Sequence, residues 1–217
     1  RPEQGLRLLE RVATSLTGPL VLRSLGDEID VSHVTAGQWL GALADAYLVL
    51  FLFQESGGVP DVRRQRKVYP IDPFLARLPA RRAPGAYDPD PSRLAEAALA
   101  AALFRAVEGD AVDRFGEPGC LFFFRSQSGA EVDFVVPAYT VTGAGERVSR
   151  TTHAVHEAYA AESKYVDAVT ANDSRAMAAN FGGGLVLTRG AIDLDQEIPG
   201  VTVLPAALFA WLLDQRG

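Results

Sequence analysis

Between Leu78 and Ser92 the chain carries four prolines, Pro79, Pro84, Pro89 and Pro91, together with Gly85. Proline locks φ and has no N–H to donate, so this density disfavours both helix and interior strand. Residues 79–92 therefore read as an extended Pro-rich linker. The linker divides the 217 residues into an expected domain at 1–78 and a second at 93–217, both within the usual size range of independently folding units.

The two pieces differ in pattern. In the first, apolar residues recur at helical intervals (Leu6, Leu9, Val12, Ala13, Leu16) until Gly18-Pro19 breaks the run, which predicts a first helix. A second short helix is expected from Pro19 to Leu25, ending at Gly26. A third begins near Ser32 or Thr35, either a suitable N-cap, with Val34, Trp39, Leu40 and Leu43 facing inward. The β-rich run Tyr47 to Phe53, the turn signal Gly57-Gly58-Pro60 and a returning Val68-Tyr69-Pro70 predict a hairpin. Three helices and a hairpin are the order of a winged helix-turn-helix, whose third helix would enter a DNA groove. The run Arg63-Arg64-Gln65-Arg66-Lys67 falls on the wing, and Arg63, Arg64, Arg66 and Lys67 are candidate phosphate contacts, with salt-dependent binding as the consequence. A short charge run on a solvated surface is the competing reading.

The second piece opens with an alanine-rich helix from Arg93 to Val107, since alanine has the highest helix propensity. Strands are expected at Leu121–Arg125, Glu131–Pro137 and Ala154–Ser163, then a helix from Asn172 to Phe181 closed by Gly182 to Gly184. A strand at Leu185–Thr188, another near Val201–Val203 and a helix from Pro205 to Leu213 complete the piece. The predicted class is α/β with a mixed central sheet.

Composition excludes several functions. One cysteine, Cys120, rules out an internal disulfide framework and a multi-thiolate zinc site, and its apolar surroundings mark it as a small buried hydrophobe. No stretch approaches the ~20 apolar residues of a membrane span, and the N-terminus has no signal-like pattern, so the expected location is cytoplasmic. A net charge of −6 argues against a uniformly basic nucleic-acid coat. His153 and His156, three apart on an expected strand, point to opposite faces and make a poor metal pair, and His33 is uninformative.

Chemistry concentrates in the second piece. Strand alternation puts Glu162 and Lys164 on one face with Ser163 on the other. Asp133 lies in Glu131-Val132-Asp133-Phe134, and Glu96 on the opening helix. Mg²⁺ and Mn²⁺ prefer carboxylate oxygens and keep several waters, so Asp133 and Glu162 are the candidate metal ligands. Lys164 would orient the attacking water and offset charge on the phosphorane, and Glu96 would complete the shell. Alternatively, Glu162 and Lys164 form a plain surface ion pair worth at most about 1 kcal/mol.

Asp133 followed by Glu162-Ser163-Lys164 resembles the PD-(D/E)xK nuclease superfamily and implies a restriction-endonuclease-like fold. Five segments extend the likeness: Thr35 to Val49, Lys67 to Asp72, Glu131 to Phe134, Glu162 to Lys164 and Val203-Leu204-Pro205. With them, nearly the whole chain is similar to the C-terminal region of bacterial and archaeal AAA-type ATPases, in which a winged helix precedes an endonuclease-like domain. That resemblance implies an ATPase module, with its ATP, before Arg1. It also implies DNA or RNA as partner and no membrane association. The chain itself has no G-x-x-x-x-G-K-[ST] phosphate loop and is expected not to hydrolyse ATP. The rival expectation is a catalytically inactive docking or regulatory module of the same ATPase, or a DNA-binding regulator.

Overall fold

Leu8, Val12 and Ala13 share one face of α1 (Pro2–Thr14) and are at most 3% exposed, with Leu16 fully buried just beyond. Val12, Ala13 and Leu16 are among the positions the apolar spacing predicts, whereas Leu6 and Leu9 are only half-buried and Leu8 takes the buried place on this face. The computed structural model describes residues 2–56, 59–82, 88–108, 121–137, 158–192 and 198–214. The chain divides into two units, one of Arg1–Leu52 and Val62–Gly119, the other of Phe53–Asp61 and Cys120–Gly217. Its class is mixed α/β.

In the first unit α1 is followed by β1 (Pro19–Leu20), α2 (Leu22–Ile29) and α3 (His33–Asp45). Expecting a helix from Pro19 misplaces its start, because Pro19 and Leu20 pair antiparallel with Lys67 and Arg66. Gly26 does not end α2 either; the helix closes at Asp30, which takes a left-handed conformation. Gly26 is there for space: a Cβ on it would lie 2.7 Å from the Val31 carbonyl oxygen. Ser32 caps α3, its hydroxyl accepting from the Thr35 N–H at 3.0 Å. Ala36, Leu40 and Ala44 form the buried stripe of α3, Trp39 and Leu43 are half-buried, and Val34 is exposed rather than inward.

Next come β2 (Val49–Ser56), β3 (Val59–Pro70), a 3-10 helix (Pro73–Arg77), α4 (Leu78–Arg82) and α5 (Pro91–Glu108). The expected linker is thus partly helical. Pro73, Pro79 and Pro91 stand in the first turns of their helices, where a missing N–H costs nothing. Asp90 accepts from the Ser92 N–H at 2.8 Å before α5. Residues 83–87 of the linker lie outside the described residues. α5 belongs to the first unit, not to the second half as its sequence position implies, and buries Ala97, Leu99, Ala100, Ala101, Leu103 and Phe104.

The second unit contains β4 (Phe122–Arg125), β5 (Glu131–Pro137), β6 (Ala158–Lys164), α6 (Arg175–Phe181), β7 (Gly184–Thr188), β8 (Val201–Pro205) and α7 (Ala206–Asp214). β5 runs antiparallel to both β4 and β6, whereas β6, β7 and β8 run parallel. Phe53 and Gln54 at the end of β2 lie parallel to Phe122 and Phe123, and the Gln54 side chain donates to the Arg125 carbonyl at 3.0 Å. The sheet is mixed, as expected. Cys120, His153, His156 and Glu157 fall outside the described residues. Among the described residues no helix is long and apolar enough to cross a membrane.

Candidate active site

β5 and β6 are antiparallel with Phe134 opposite Ala161 and Val135 opposite Ala160. Continuing that register by one residue sets Asp133 opposite Glu162, and directly opposed side chains share a face with Cβ atoms about 5 Å apart. The Ser163 N–H donates to Asp133 Oδ2 at 2.9 Å, which fixes the aspartate against the neighbouring strand. Two residues on from Glu162, Lys164 falls on the same face, and its Nζ lies 3.0 Å from Glu162 Oε2. The structure therefore brings Asp133, Glu162 and Lys164 together.

Glu162 is 2% exposed, so the surface ion-pair reading does not describe it. Its second oxygen, Oε1, makes no hydrogen bond of full geometry, although the Met177 N–H of α6 lies close enough to pull on the carboxylate. Burial raises the carboxyl above its ordinary value against the pull of the Lys164 ammonium and the Met177 N–H, and the Asp133 charge pushes the same way as burial. For Lys164, burial works to lower the value, but Glu162, Asp133 and Asp173 outweigh it and the ammonium is held more firmly than usual.

Asp173 is the residue sequence reasoning missed. It sits in the turn before α6, its Oδ2 accepting from the Thr170 N–H at 2.8 Å and the Thr170 hydroxyl at 2.7 Å. These bonds hold its carboxyl below the ordinary range, helped by Lys164. The available signal was Thr-x-x-Asp ahead of a helix, the capping-box spacing.

The linkage between Glu162 and Lys164 has a sign that can be measured. A carboxyl whose folded value is raised favours folding below its unfolded value, near 4.5, and loses that contribution as pH rises through the folded value. Glu162→Gln should therefore flatten the fall in stability on going from about pH 4.5 toward neutrality. Lys164→Met should steepen it, removing about 2 kcal/mol at pH 8 and little at pH 4.5. This lies below the ~3–5 kcal/mol of a fully buried pair because the lysine side chain is 34% exposed. Urea melts across pH check both slopes.

Glu96 belongs to the first unit. It lies on α5, where its Oε1 accepts from Lys67 Nζ at 3.1 Å and the Tyr69 hydroxyl at 2.6 Å. Lys67 is fully buried, which corrects its reading as a phosphate contact: opposite Pro19 in the β1–β3 pairing, it turns inward. The Arg66 guanidinium lies 5.6 Å from the Phe51 ring centroid, and burial lowers its value. The side chains of Arg63 and Arg64 lie outside the described residues.

Among the described residues no group of three or more His, Cys, Asp and Glu side chains is placed to hold a metal ion. Mg²⁺, however, is commonly held by one or two carboxylates, with waters and substrate phosphates filling the other positions. The buried Glu162 Oε1, without a hydrogen bond of full geometry, beside Asp133 fits that donor chemistry. Comparison with protein-family models, curated proteins and solved structures finds no match.

Proposed function

We propose that the chain is a nucleic-acid-processing region in which Asp133, Glu162 and Lys164 form a Mg²⁺- or Mn²⁺-dependent phosphodiesterase site. The observation that carries this reading is the buried Glu162, opposite Asp133 on the adjacent strand, with one oxygen on Lys164 and the other without a hydrogen bond of full geometry. Asp133 and Glu162 would hold the cation, which supplies polarisation of a phosphate oxygen and an activated water. Lys164 stays protonated among Glu162, Asp133 and Asp173, so its role is to stabilise the charge developing on the phosphorane rather than to remove a proton. Ser163, through its N–H, and the Thr170–Asp173 turn position these groups.

In the same reading, the helices of the first unit together with the β2–β3 hairpin form a winged helix that binds nucleic acid, and the chain is the C-terminal region of an AAA-type ATPase. The order α1, α2, α3, β2, β3, with β1 paired to β3, supports the first statement, and the residue resemblance supports the second. Purified protein should nick plasmid or cut single-stranded DNA with Mn²⁺ or Mg²⁺. Asp133→Ala and Lys164→Ala should each lose on the order of 100-fold in rate, with Lys164→Arg included to separate charge from folding. Equal cleavage by all four proteins rejects the assignment.

A second reading, a nuclease-like fold serving only for docking, is favoured by Glu162 Oε2 already being engaged by Lys164 at 3.0 Å. It expects no heat of Mn²⁺ binding in calorimetry, whereas the leading reading expects binding that Asp133→Ala removes.

A further inference from the structure

The geometry points to a base-stacking platform at Tyr165 and Arg189, immediately beside Lys164, that admits a single-stranded segment of nucleic acid. This inference rests on the nuclease reading and specifies the substrate of that site. β6 and β7 run parallel and finish together, with Lys164 in register with Thr188. The next residue of each strand is Tyr165 and Arg189 respectively.

Past Lys164 the chain turns sharply: the Val166 N–H donates to the Lys164 carbonyl at 2.8 Å, placing Tyr165 at the apex, 42% exposed. The Arg189 N–H donates to the Val166 carbonyl at 3.2 Å and ties the two strand ends together. Above the ring, the Arg189 guanidinium carbon lies 5.6 Å from the Tyr165 centroid. Asp167 fixes it there by a two-pronged contact, Nε to Oδ1 at 2.8 Å and Nη2 to Oδ2. Guanidinium and ring thus already lie together in the chain without a ligand.

An aromatic face of this kind stacks any nucleobase without reading its edges, and a guanidinium carries five donors, so two spent on Asp167 leave others for a phosphate. In a duplex the base faces are already occupied by their neighbours. Only an unpaired or terminal base can lie on Tyr165, which follows Lys164 directly at the end of β6.

The test is fluorescence anisotropy of a short fluorescein-labelled oligothymidylate and of a duplex of the same length, with the full chain in EDTA so that cleavage plays no part. The single strand should bind more tightly than the duplex. Tyr165→Ala should weaken it on the order of 10- to 100-fold, with Tyr165→Phe within about twofold of wild type. Arg189→Ala should weaken it and reduce the salt dependence. Single-strand binding that is absent, or that Tyr165→Ala leaves unchanged, overturns the platform. Tyr165-dependent binding with no metal-dependent cleavage removes the nuclease reading and keeps the platform. Cleavage whose KM does not respond to Tyr165→Ala does the reverse.

Discussion

Lys67→Ala lowers the free energy of unfolding by about 3–5 kcal/mol, the range for breaking a buried ion pair by removing one partner. The side chains of Lys67 and Glu96 are 1% and 13% exposed, and their contact is 3.1 Å. Without the ammonium, the Glu96 carboxylate keeps the Tyr69 hydroxyl at 2.6 Å but loses the cation, in a place where water cannot fully replace it. Lys67→Met combined with Glu96→Leu should recover part of the loss, because the Glu96 carboxylate is then no longer left buried without the Lys67 ammonium. Chemical denaturation of the single and double variants measures the coupling directly. A loss under 1 kcal/mol for Lys67→Ala would mean the pair is solvated.

The second large effect is expected at Gly184. Its φ is +152°, and a Cβ there would stand 2.4 Å from the Ala160 carbonyl oxygen and 2.6 Å from Met177 Sδ. Backbone strain of ~1–3 kcal/mol adds to overpacking of similar size, so Gly184→Ala should cost about 4 kcal/mol. Ala160 leads into Glu162 on β6, and Met177 on α6 lies against Glu162, so the same substitution should also disturb the carboxylate pair. Gly41→Ala provides the control. That glycine lies inside α3 with nothing within 4 Å of an added Cβ, and the change should stabilise by about 0.5–1 kcal/mol. Thermal melts of the two variants moving in opposite directions would establish the close approach at Gly184; parallel shifts would refute it.

Periodicity and caps carried much of the secondary structure in the sequence. The strand at Glu131–Pro137 appears with its predicted bounds, and Ser32 caps α3, because both depend on neighbours within a few residues. The proline-dense segment misled for a related reason. Proline's missing N–H forbids a helix interior but suits a first turn, and whether a helix follows depends on what its apolar face can pack against. The burial of Ala97, Ala100, Leu103 and Phe104 decides that for α5 and places it in the first unit.

The sites divide along the same line. The separation of two residues between Glu162 and Lys164 determined by itself that they share a strand face, since the period of two is a property of extended backbone. Strand pairing alone decided that Asp133, 29 positions earlier in the sequence, stands opposite Glu162. Packing decided that Lys67, which reads as one more cation in a basic run, is turned inward onto Glu96, because a lone chain has no inside. Local geometry sets which side chains are parallel; only the assembled sheet and helices set which are dry, and burial is what lifts the Glu162 carboxyl above its ordinary value.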